Sequence, residues 1–312
     1  MTASQHTLPH RSLRALLLSL GLLLPLAGCG GGGEDEPDAT VRIAYVNWAD
    51  GIAITNLTRA ILEDEFGYDV ELVMADPGPV FASVAEGDND LFLDAWLPNT
   101  HSDYWERFGD QLEDLGAIYE GCRLGLVVNA DAPVTSIAEL NDHADLFDGR
   151  IQGIDSGAGL MRLTKDAIDA YGLDLELIPA SGPAMTAAIQ KAENAGDPVL
   201  VTGWKPHWKF NRFKVRFLED PQGVYGIGER IHAVARADFS SDHATVATFI
   251  RDLTLTDDQL GSLMDRINRS DEDPVDVARA WIEEHRDAVD AWLPRSAPRP
   301  RTPPDGDMPQ AR

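Results

Sequence analysis

The sequence predicts an α/β protein built as two lobes that face a common cleft. Three observations carry that expectation. A short β-run, a glycine-containing turn and a helical pattern follow one another twice, in VRIAYVNWADGIAI (41–54) and in GRIQGIDSGAGLMRL (149–163). Each unit continues through a Gly-Pro pair, Gly78-Pro79 and Gly182-Pro183, to an apolar strand that stops at a tryptophan: LFLDAW at Trp96, VLVTGW at Trp204. The spacing also agrees, since Gly51 and Trp96 lie 45 residues apart and so do Gly159 and Trp204. Strand–helix–strand alternation at this interval calls for a parallel sheet in each half. Ligands of open α/β sheets bind outside the carboxyl ends of the strands, where all four marked turns fall.

The chain opens with a segment that is not expected to join this fold. Arg11 and Arg14 precede an apolar run over 15–26, followed by Leu26-Ala27-Gly28-Cys29. A basic start, a short apolar stretch and small residues at its end define a secretory signal peptide over 1–28. The run is too short to remain as a membrane-spanning helix. Leu-Ala-Gly-Cys resembles the bacterial lipobox, which implies cleavage before Cys29 and lipid attachment to its sulfur. GGGGEDEPD (30–38) then suits a flexible acidic tether, placed at 29–40 with the lipidated cysteine.

Beyond the tether, the first lobe is expected over 41–122, with a helical pattern at 52–65. The second lobe is placed over 123–214, with a helix at 160–171. The segment 215–293 reads mostly as amphipathic helix returning to the first lobe. TLTDDQLGSLMDRIN (254–268) and PVDVARAWIEEHRDAVDAWL (274–293) carry apolar residues at i, i+3 and i+4. The proline-rich end, 294–312, is expected to be disordered.

Charge and motifs exclude several functions. The formal net charge is −26, and because the leader and the tail are both basic, the part between them is near about −30. Such a surface repels nucleic acid and anionic lipid, and it fits a protein adapted to salt. Cys122 is the one cysteine besides Cys29, so no cysteine-based metal site is expected. Gly157-Ala158-Gly159 lacks the third glycine of a dinucleotide fingerprint and has no Gly-Lys-Ser/Thr after it. Ser156 is in no Gly-x-Ser-x-Gly elbow, and no His-Glu-x-x-His occurs. No catalytic residue, metal or cofactor is expected.

What remains is the pairing of Trp96 with His101 in LFLDAWLPNTH, at the open end of a strand. A core requires neither an indole N–H nor an imidazole there, so the pair points to a ligand. Trp48 and Trp204, at matching places in the repeat, would converge with them. Trp105 and Trp208 read as packing residues, Trp281 and Trp292 as core, and His207 and Asp94 as structural. Asp50 is expected to be exposed, with a place at the border of the cleft as the alternative.

VNWADGIA, DAWLPNTH, GIDSGAGLM and TGWKPHWKFNRF together resemble the glycine betaine-binding proteins of ABC transporters for compatible solutes, and the likeness runs from about Val41 to Trp292. The resemblance implies a type II periplasmic-binding-protein fold, two α/β lobes with a hinge that close on the ligand. It implies a cation cage of Trp48, Trp96 and Trp204, and a carboxylate held by the His101 imidazole and the backbone N–H groups of Gly159 and Leu160. The chemistry agrees. A quaternary ammonium offers no N–H, so aromatic faces must grip it, each worth roughly 0.5–2 kcal/mol. Free N–H groups at a helix start suit a carboxylate. The implied ligand is a small zwitterionic quaternary ammonium, glycine betaine or proline betaine, and the implied partners are an ABC permease and ATPase, with a monomer held at the extracytoplasmic membrane face by its lipid. A carnitine or choline receptor, a betaine sensor and an enzyme on the same bilobal fold are the alternatives.

Overall fold

The computed structural model describes residues 40–294. The leader, Cys29, the tether up to residue 39 and the tail from residue 295 lie outside the described residues.

The first lobe begins with β1 (Thr40–Tyr45), which passes through Trp48 into α1 (Ala49–Ile61) and one π-helical turn (Leu62–Phe66). Gly67 ends that turn at φ 75°, a left-handed conformation suited to glycine. β2 (Asp69–Met74) pairs parallel with β1. α2 (Pro77–Ala85) starts on a proline, whose missing N–H costs nothing in a first turn. β3 (Leu91–Leu97) flanks β1 on the other side, and all seven of its residues are buried, as a central strand covered on both faces requires. α3 (Ser102–Phe108) and β4 (Leu112–Glu120) follow.

Gly121 and Cys122 carry the chain to the second sheet, which β5 (Arg123–Asn129) enters. Next come a 3-10 segment (Ile137–Phe147) with a capping box between Ser136 and Glu139, then β6 (Arg150–Gln152) and α4 (Gly159–Tyr171). β7 (Glu176–Ile178), α5 (Gly182–Ala195), β8 (Leu200–Lys205), α6 (Lys209–Arg212) and β9 (Val215–Phe217) complete this lobe. β10 (Arg230–Arg236) returns to the first sheet, followed by α7 (Phe239–Asp242), α8 (Ala244–Asp252), α9 (Asp257–Arg269), α10 (Pro274–Glu284) and α11 (Arg286–Trp292). α9 and α10 pack on α1. Trp281 is fully buried there, its indole donating to Ser262 Oγ at 2.8 Å, and Trp292 is buried as well.

The strand orders are β2-β1-β3-β10-β4 and β7-β6-β8-β5-β9. Neither sheet is wholly parallel as the repeat suggested. β10 is antiparallel to both neighbours in the first sheet, and β5 to both in the second. The reason is topological. β4 and β9 leave their sheets at the cleft rim, where the parallel strands end. The strands they feed, β5 and β10, therefore enter from that rim and run the opposite way.

Two further details differ from expectation. The amphipathic reading of 215–293 passed over two strands, β9 and β10. Because β9 pairs with β5, the return to the first lobe lies after Phe217, within 218–229, and not at residue 215. Gly51 and Gly159 also occupy different helical positions. Trp48 is the N-cap of α1 and Ala158 that of α4, so Gly159 matches Ala49 and the equal spacing hides a two-residue offset.

Candidate ligand-binding site

The carboxyl ends of β1, β3 and β8 and the start of α4 meet around one cavity with about 290 Å³ of atom-free space. Trp48, Trp96, Trp204, His101, Gly159 and Leu160, the six residues proposed from the sequence, all line it. Asp50, Thr100, Leu124, Ile154 and Ala158 complete the wall. Trp105 and Trp208 are not in the lining, nor is His207. Both Trp-x-Pro turns contain cis peptide bonds, at Leu97-Pro98 and Lys205-Pro206.

Each of the three lining indoles is held through its N–H by a carboxyl. Trp96 donates to Asp94 Oδ1 at 2.8 Å, Trp204 to Asp50 Oδ1 at 2.9 Å, and Trp48 to Asp155 Oδ2 at 3.0 Å. A buried indole N–H needs an acceptor, and the bond fixes the ring in place. Two of these bonds cross the cleft. Trp48 belongs to the first lobe and Asp155 to the second; Trp204 belongs to the second and Asp50 to the first.

Asp50 is fully buried, not exposed as the sequence suggested, because α1 places it under Trp204 in the first helical turn. Asp94 is fully buried too, and the Oδ2 atoms of both carboxyls find no N–H donor. Burial, then the neighbouring Asp50 carboxyl, pushes Asp94 well above the usual carboxylate range. Burial also raises Asp50, against the opposing pull of the Trp204 indole. One proton on Asp94, donated to Asp50, satisfies both orphan oxygens. The Asp50 carboxyl itself lies in the cavity wall. Lys209 is fully buried nearby, with Nζ 4.0 Å from the Trp204 ring centre and bonded to the Trp204 carbonyl oxygen at 3.4 Å. Burial drives its ammonium well below the usual lysine range.

The same cavity also presents hydrogen-bond donors. His101 is fully buried; its Nδ1 accepts the Trp96 backbone N–H at 2.9 Å, and its Nε2 has no partner. An Nδ1 that accepts leaves the proton of a neutral imidazole on Nε2. The ring stays neutral because burial, and then the Arg162 charge, lowers its pKa to about 3. It stacks on Trp48 with ring centres 6.0 Å apart. Gly159 and Leu160 open α4, where N–H groups have no partner within the helix. The Thr100 hydroxyl is buried without a partner as well. A Cβ on Gly159 would lie 1.8 Å from the Thr100 carbonyl oxygen, so only glycine lets α4 approach the first lobe this closely.

Sequence reasoning missed Asp50 and Asp155 as partners of the cage, and Thr100 in the wall. The legible signal was chemical: three buried indoles need three acceptors, and Asp50, Asp94 and Asp155 all stand beside marked residues.

Two sheets joined by two crossings, with a site between them, define a bilobal binding protein. The substrate-binding domain family of ABC-type glycine betaine transport systems matches residues 39–284, and the chain belongs to it. It is similar to the glycine betaine/carnitine transport binding protein GbuC of Listeria monocytogenes, 35% identical over 173 residues, or 54% of this chain; the match spans 57% of that relative's length. Lactococcal OpuAC, solved closed with glycine betaine, is 31% identical with a TM-score of 0.78, over 82% of this chain and all of that one. An ABC-transporter choline binding protein solved with choline is 27% identical with a TM-score of 0.75, over 81% and 91% of the two chains.

Proposed function

We propose that this chain captures glycine betaine, or a close analogue such as proline betaine, outside the cytoplasm and delivers it to an ABC importer. One observation carries the reading: a single cavity is lined by three indoles and by an unpartnered imidazole N–H beside a helix start, which we read as its two ends. A trimethylammonium group fits the first end, where it meets π-faces without needing to donate a hydrogen bond. A carboxylate fits the second, accepting from His101 Nε2 and from the N–H groups of Gly159 and Leu160. Because His101 is neutral, it donates without adding charge. Lipid on Cys29 would hold the receptor at the membrane, and the permease would read lobe closure. Among the described residues no helix is long and apolar enough to cross a membrane.

Choline is a second reading, favoured by the buried Asp50 carboxyl in the wall, which can accept a hydroxyl proton. Titrating intrinsic tryptophan fluorescence with glycine betaine, proline betaine, carnitine, choline and ectoine separates the two. Saturable responses to the betaines with a weak one to choline are expected. A response to choline alone would transfer the site to the second reading, and no response to any betaine would refute the first.

A further inference from the structure

Asp50 and Asp155 stand out beyond the cage itself. Each holds the indole of a tryptophan from the opposite lobe, Trp204 and Trp48 respectively. A main-chain carbonyl or a water would satisfy an indole N–H equally well, and burying a carboxylate is costly unless it is paired. Neither carboxylate forms an ion pair with an arginine or lysine among the described residues. Lys209, whose charge acts on Asp50, bonds to the Trp204 carbonyl oxygen instead and is pushed toward its neutral form. Asp50 therefore stands in the wall, and the half-buried Asp155 outside it behind Trp48, with no arginine or lysine among the described residues bonded to either carboxyl. An anionic acceptor on the indole N–H also pushes electron density into the ring, which strengthens the attraction of its face for a cation.

We propose that the Asp50 and Asp155 carboxylates, behind the cage and across the cleft from the indoles they hold, make the pocket select the positive charge of its ligand and not merely the trimethyl shape. The cation supplies the missing counter-charge, and because both bonds span the lobes, it does so only when the cleft is closed. The inference rests on the betaine reading above and deepens it: Asp50 and Asp155 are positioning and specificity-determining residues acting through Trp204 and Trp48.

The test compares glycine betaine with 3,3-dimethylbutanoate, in which carbon replaces the nitrogen and the carboxylate is kept. Calorimetric titration of the wild-type chain, Asp155→Asn and Asp50→Asn measures both ligands. Asparagine retains an oxygen acceptor for the indole; at position 155 it removes only the charge, and at position 50 it also takes away the acceptor for the Asp94 proton. In each variant, betaine affinity is expected to fall by about tenfold, while that of the carbon isostere, an anion with no positive centre, falls by less than about twofold or rises. Equal losses for both ligands would show that the aspartates only support the fold, and no loss for either would show that they do not act on the cage; either result overturns the proposal. Asp155 is only partly buried, so its variant remains informative even if Asp50→Asn fails to fold. A wild-type chain that binds no betaine would defeat the ligand assignment itself, a failure distinct from equal losses in a chain that does bind.

Discussion

At the scale of single residues, His101 shows how burial decides chemistry. Its backbone partner at Trp96 selects the tautomer, and its burial keeps it neutral down to about pH 3. The unfolded chain exposes an ordinary imidazole that titrates near about 6.5. Below that pH the unfolded state takes up a proton that the folded state refuses, so stability falls as pH drops from about 6.5 toward 3, at up to roughly 1.4 kcal/mol per pH unit. Urea unfolding between pH 6 and 4 is expected to lose about one proton's worth of this slope in His101→Gln; an unchanged slope would place the imidazole in solvent. For binding, His101→Ala is expected to weaken betaines more than choline-like cations, which lack the carboxylate. Trp96→Ala should reduce betaine affinity far more than Trp105→Ala, by roughly tenfold or more against about twofold. Trp105 lies on α3 against Gly109, away from the cavity wall, so equal losses would mean the cage is misplaced.

At the scale of elements, the repeat of strand, helix and strand supplies both halves of the clamp, but α4 has the narrower tolerance. Gly159 lies against the Thr100 carbonyl oxygen of the other lobe, where a Cβ would overlap backbone. Gly159→Ala is therefore expected to leave the unliganded fold intact and to block full closure. Small-angle scattering should then show no compaction on adding glycine betaine, and affinity should drop by about a hundredfold. Compaction like that of the wild type would mean that α4 shifts easily. The tryptophan strands were legible because β3 and β8 are apolar runs ending at turn signals. β9 and β10 were not, because Val-Arg-Phe is too short to show alternation, and RIHAVAR, set among helical patterns, takes its strand identity from pairing between β3 and β4.

At the scale of the molecule, the lobes meet through more than the cage. From α4, Arg162 donates to the Asn99 carbonyl oxygen at 2.9 Å and to Ser102 Oγ at 3.1 Å, and it pairs with Asp103 at 3.1 Å, all in the first lobe. Tyr104 donates to the Gly157 carbonyl oxygen at 2.8 Å, and Lys205 pairs with Asp257 at 2.8 Å. These contacts are partly exposed, so each contributes modestly and is weakened by salt. Arg162→Ala is expected to speed betaine release about fivefold while leaving association nearly unchanged, read by stopped-flow fluorescence. A change confined to association would instead make Arg162 a steering charge.

By itself the sequence determined the two α/β units and marked six residues that line the cavity. Those features are local: apolar period, turn chemistry and the order of motifs along one chain. Tertiary structure alone decided the reversed strands, the crossing within 218–229, and the burial of Asp50. It also decided that Asp50 and Asp155 would each meet the other lobe's indole, at sequence separations of 154 and 107 residues. No local pattern encodes a bond across a cleft, because the bond exists only once two separately folded sheets are brought face to face.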